Sequence, residues 1–129
     1  MADYRELLAT ATSILLIDWP SRDVPETLAR HGYRVVANDG PREDEYNAYE
    51  LVDGAVRVRS LDSAPDMVDI VYAHRPISEL GSIVEQARNL NARAVWVETG
   101  APQAREMVER AGLLYFDSPH LPDAVRESL

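Results

Sequence analysis

Four short stretches carry side chains that can hold or move charge. They are Asp18-Trp19-Pro20-Ser21-Arg22, Asn38-Asp39, His74-Arg75-Pro76 and Glu98-Thr99-Gly100. Arg22 and Arg75 suit a phosphate or a carboxylate, because a guanidinium offers paired N–H donors. His74 could act as a general acid or base, but the sequence shows no acid partner for it. Trp19 precedes Pro20 and is therefore held extended. There it could stack on an adenine ring or plug the site. Asp18 could cap the helix that follows, or repel a phosphate. Ser21 suits an N-cap. The Thr99 hydroxyl could hold an anion or merely cap a helix. Gly100 would let a ligand or another backbone come close. Asp117 could bind a hydroxyl group or satisfy backbone donors in the last turn.

These residues do not spell out a reaction. Nothing specifies a serine–histidine–acid triad, although Ser21 and Ser118 supply hydroxyls. His31, His74 and His120 fall in separate segments without ligand spacing, so no metal site is expected. The chain has no cysteine, which removes thiolate nucleophiles and disulfides. It has no lysine either, which excludes Schiff-base chemistry and a Walker-type phosphate loop. The reading is of a binding protein rather than an enzyme.

Bulk composition narrows the partners. The chain has 129 residues, with 22 acids, 13 bases and a net charge of −9. That size suits a single domain over residues 1–129. An acidic surface repels phosphate backbones, so nucleic acid is not an expected partner. The longest apolar run, Ile14–Ile17, is far too short to span a bilayer. The first residues lack a secretory apolar core, so a cytoplasmic protein is expected.

The elements that must position the polar stretches follow from hydrophobic spacing. Residues 3–12 read as a helix with Leu7, Leu8 and Ala11 on one face. Ser13–Ile17 is an apolar run suited to a strand buried on both faces. Val24, Leu28 and His31 mark a second helix stopped at Gly32, and residues 33–37 a second strand. Residues 38–47 are polar and read as an exposed loop. Residues 49–59 alternate around Asp53-Gly54, the signature of a tight hairpin, with Arg57 and Arg59 marking an edge strand. Residues 68–73, 94–97 and 113–116 read as further strands. Between them lie helices carrying Ile77, Leu80, Val84 and Ala87, then Ala104, Met107, Val108 and Ala111. Residues 123–128 read as a terminal helical turn.

Strands separated by helices imply parallel pairing with right-handed crossovers. The expected fold is an α/β, Rossmann-like, doubly wound domain with a mostly parallel sheet of about five strands and helices on both faces. Such sheets bind ligands outside the carboxyl ends of their strands, where strand order reverses. All four polar stretches fall at such ends.

Four segments then carry a family resemblance. HGYRVV (31–36), VDIVYAHRP (68–76), ARAVWVETG (92–100) and AGLLYFD (111–117) resemble, in order and spacing, the stand-alone CoA-binding domain proteins. The same fold forms the CoA-binding part of succinyl-CoA synthetases. The family usually has glycine straight after the first strand, where this chain has Asp18, and the loop here is roughly half as long. Glu98 stands where the family often has glutamine. Asp117-Ser118-Pro119 stands where it often has aspartate, arginine and cysteine. The resemblance implies a non-catalytic module for CoA, acyl-CoA or a related adenine nucleotide. The pyrophosphate would lie near Arg22, and the adenine near Asn38-Asp39 or Arg75. The alternative is a degenerate domain that has lost the nucleotide site and serves protein interaction or regulation, a homodimer being one form of that.

Overall fold

A computed structural model describes residues 4–17, 23–38, 46–98 and 100–128. Among the described residues, seven strands form one sheet: β1 (Ser13–Ile17), β2 (Arg34–Asn38), β3 (Tyr46–Val52), β4 (Ala55–Leu61), β5 (Ile70–Ala73), β6 (Ala94–Val97) and β7 (Leu114–Phe116). Five helices accompany it among the described residues: α1 (Tyr4–Thr10), α2 (Asp23–Arg30), α3 (Leu80–Asn89), α4 (Pro102–Arg110) and α5 (Leu121–Ser128). The strand order is β4-β3-β2-β1-β5-β6-β7. From β2 to β7 all neighbours are parallel, as expected of strands joined through helices.

The sheet has seven strands rather than about five. The two extra strands are the predicted hairpin, which does not stand apart. It adds to the edge of β2 in antiparallel register, Val35 facing Tyr49 and Val36 facing Ala48. Its two-residue turn has positive φ at both Asp53 (52°) and Gly54 (81°). That is the backbone twist a tight hairpin needs, and glycine adopts it without strain. The strands run out to Tyr46 and Leu61, longer than the spacing suggests, because Tyr46 and Ala48 are buried beside Val36. β4 is the wet outer edge, with Arg57, Val58 and Arg59 exposed.

Two apolar layers sandwich the parallel strands. Ile14, Leu16, Ile70, Tyr72, Ala94 and Trp96 face α1, α2 and α5. Leu15, Val71, Val95 and Val97 face α3 and α4. The alternation is the strand period of two, buried on both faces. Trp96 is fully buried and donates its indole N–H to the Pro119 carbonyl at 2.9 Å.

Several expectations shift at helix ends. The predicted terminal turn is a full helix starting at Leu121, because Leu121, Ala124 and Val125 are wholly buried. Ile77 leaves the predicted stripe and is exposed, since it sits in a 3₁₀ turn before α3, while Ile83 joins the buried face. Met107 on α4 is exposed too, and Ala104 and Val108 carry the contact. α1 ends at Thr10, and Thr12 turns aside to bond elsewhere.

That bond goes to Asp69, which clamps the start of β1 to the start of β5. Its carboxylate accepts from the Thr12 N–H (2.7 Å), the Thr12 hydroxyl (3.1 Å) and the Ser13 N–H (3.2 Å). Burial alone would raise this carboxyl, but those donors and the charge of Arg93 hold it below its ordinary value of 3.8. A depressed carboxyl stabilises the fold above its ordinary pKa, and the gain is lost as pH falls through the folded value. Asp69→Asn should therefore lower the unfolding free energy by about 2 kcal/mol at neutral pH. The difference from the parent should vanish on acidification below 3.8, as read by urea denaturation at several pH values.

Candidate functional site

β1 is the strand at which the sheet changes direction. The chain runs from β1 through α2 to β2 on one side, and β5 pairs with β1 on the other. The crevice of a doubly wound sheet lies outside the carboxyl ends at this point. Here the ends of β1 and β5 are fastened together by the His74 N–H, which donates to the Ile17 carbonyl at 3.1 Å. Asn38, half-buried at the end of β2, pairs with Ile17 from the other side. Asn38 and His74 are thus two strand spacings, about 10 Å, apart across the crevice.

Next along the edge is an acid that the sequence does not associate with His74. Ala73 faces Val97 across the parallel β5–β6 pair, which sets His74 beside Glu98. The imidazole Nδ1 closes on the Glu98 carboxylate. Both side chains remain partly exposed, at 38% and 33%. The histidine therefore has an acid partner, contrary to the sequence reading. The signal available was positional: His74 and Glu98 each directly follow a four-residue apolar strand. The alternation places both on the face of Tyr72 and Trp96. The Tyr72 hydroxyl is pushed well up, first by burial and then by the charges of Glu98 and Asp123, against a bond from the Leu121 backbone.

Arg75 turns to its own chain. It pairs with Glu79 one helical turn on, through Nε (2.6 Å) and a terminal nitrogen (2.5 Å). Pro76 fixes the entry to the 3₁₀ turn with an extended backbone.

Gly100 serves a close approach, and what approaches is Asp117. A Cβ added to Gly100 would lie 2.5 Å from the Asp117 carboxyl carbon and 2.8 Å from its Cβ. The Asp117 carboxylate accepts from the Tyr115 hydroxyl at 2.8 Å. Burial first, then this bond, push the Tyr115 hydroxyl up to about 12, while the guanidinium of Arg105 lies 4.8 Å from the ring centre. Asp117 and Gly100 so lock the β6–α4 connection to the end of β7, away from the crevice. Asp18, Trp19, Ser21, Arg22 and Thr99 lie outside the described residues, as does Asp39. Of the sequence candidates, Asn38, His74, Arg75 and Pro76 line one edge, and Gly100 stands apart.

The family pattern described as a CoA binding domain matches residues 17–118. The chain belongs to that family. No curated protein matches it. Among solved structures, this CoA-binding-domain chain resembles a Thermus thermophilus protein titled cell-free ID.343, at 25% identity and a TM-score of 0.70. The alignment covers 98% of this chain and 96% of that one. A protein redesigned for binding shares the fold at 23% identity and a TM-score of 0.67, over 96% of this chain and 88% of its own. Among the described residues no helix is long and apolar enough to cross a membrane.

Asp117 gives the site a stability test. Gly100→Ala should cost about 1–3 kcal/mol in thermal or urea unfolding, because the new methyl overlaps the carboxylate. Adding Asp117→Gly should recover most of the loss. Asp117→Ala should recover less, since the Cβ itself lies 2.8 Å away.

Proposed function

We propose that this chain is a non-catalytic binding module for CoA, an acyl-CoA or a related adenine nucleotide. The observation that carries the reading is the family match over residues 17–118, which begins at the last residue of β1 and runs through β2, β5 and β6. The donors present suit an anionic ligand. Arg75 is at the edge, and its pair with Glu79 is partly exposed, so exchange for a phosphate costs little. Arg22, ahead of α2, is the second cation assigned to the pyrophosphate, with Ser21 and Trp19 beside it. Asn38 or Arg75 takes the adenine side.

A second reading keeps the fold without the nucleotide, for protein interaction or regulation. Asp18 in the glycine's place favours it, because a carboxylate there opposes a pyrophosphate. Trp96 does not, being wholly buried.

Isothermal titration with CoA, acetyl-CoA, ADP and NAD separates the two. Saturable CoA binding is expected, with a matching rise in melting temperature. Arg22→Ala or Arg75→Ala should weaken it by about tenfold, the loss of one charge-assisted bond. Neither heat nor a thermal shift at millimolar ligand would leave the second reading standing.

A further inference from the structure

We infer that a cleft beneath the connection from β4 to β5 binds a short peptide as a zwitterion. The cleft shares no lining residue with the edge around His74 and stands apart from the CoA reading.

The connection itself makes the cleft. β3 is antiparallel to β2 and to β4, so β4 runs parallel to β1 and β5. Residues 62–67 must therefore return from the carboxyl end of β4 to the amino end of β5. They hold no helix and pass over the layer that contains Val36, Leu61 and Val68. α3 and α4 cover the other half of this face, against β5, β6 and β7. The space left between connection and strands is about 650 Å³ and reaches Thr12 and Ser13. Small organic ligands occupy pockets of about 300–1,000 Å³.

The two walls carry opposite charge. Arg34 and Arg59 line the strand side. Arg59 faces Ala48, which faces Val36, and Arg34 lies two residues before Val36, so all share one face of the sheet. Glu50 pairs with Arg34 at 3.6 Å and with Arg59 at 3.3 Å. Arg57 faces Glu50 from β4. Three arginines around one carboxylate leave this wall positive. The pairs are exposed, so a ligand carboxylate can displace Glu50 readily. Asp62 and Asp66 line the connection side and offset the excess. The charges balance but are separated across the cleft. A simple anion meets the aspartates, and a simple cation meets the arginines. A zwitterion satisfies both walls.

Spacing sets the length of the ligand. Asp62 follows Arg59 by three residues, at most about 10 Å of extended chain. An extended tripeptide separates its ammonium and carboxylate by about the same distance. Val36, Leu61 and Met67 supply apolar surface for its side chains, and Ser13 and Ser63 supply hydroxyls for its amides.

The probe is alanyl-leucyl-alanine, titrated by calorimetry into the full chain. Saturable binding with a Kd below about 1 mM is expected. The N-acetyl and C-amide forms of the peptide should each bind about tenfold more weakly, having lost one charged partner. Arg59→Gln should weaken the free peptide about tenfold without weakening the amide form. Asp62→Asn combined with Asp66→Asn should weaken it similarly without weakening the N-acetyl form. All three residues are exposed, and thermal melts check that the variants fold. No saturable binding at about 10 mM peptide overturns the inference. An N-acetyl form as tight as the free peptide makes this an anion site and overturns it, as does an equally tight amide form. Binding undiminished in both variants places the peptide elsewhere and overturns it too.

Discussion

One row of backbone hydrogen bonds at the amino end of the sheet determines what meets at the carboxyl end. The Arg34 N–H bonds the Thr12 carbonyl, Asp69 bonds Ser13, Arg93 bonds Asp69, and Leu114 bonds Arg93, all at 2.8–3.0 Å. The row crosses the five parallel strands, and the Asp69 carboxylate clamps its centre with bonds to Thr12 and Ser13. Parallel register has no tight turn to set it, because every crossover passes through a helix or a hairpin and loop. It must be set by pairing and burial. A slip of one residue between β5 and β6 would put Tyr72 and Trp96 in opposite layers and separate His74 from Glu98. The site is in this sense read out from the far end of the sheet.

The strands were legible because each is a short apolar run bounded by polar residues, and burial on both faces leaves no other use for such a run. The hairpin was legible from Asp53-Gly54. That it would extend the sheet was not, because joining β2 depends on Tyr46 and Ala48 burying beside Val36, a non-local fit. α5 is longer than its sequence pattern suggests for a similar reason: Leu121 joins the helix because the layer over Trp96 and Phe116 buries it. At the site, Arg75 with Glu79 follows helical spacing and could be read from sequence. His74 with Glu98 could not, since the pairing exists only through the register of two strands. Gly100 offers room for a ligand or a backbone, and the side chain of Asp117, directly after β7, takes that room.

The described polar groups at the carboxyl edge are therefore engaged before any ligand arrives. Arg75 holds Glu79, His74 holds Glu98 and Tyr115 holds Asp117. An incoming anion competes with carboxylates of the chain, on a protein that already carries −9. The competition is tolerable where the pairs are exposed, because such pairs contribute on the order of 1 kcal/mol or less and are weakened by salt. It is not tolerable at Asp117, which is packed against Gly100 and bound to a tyrosine that burial keeps neutral. The edge thus divides into an exchangeable half around His74 and Arg75 and a fixed half around Asp117. On the proposed reading, a ligand at the switch point would meet the first half, while the second stays closed by Asp117 against Gly100, away from the crevice.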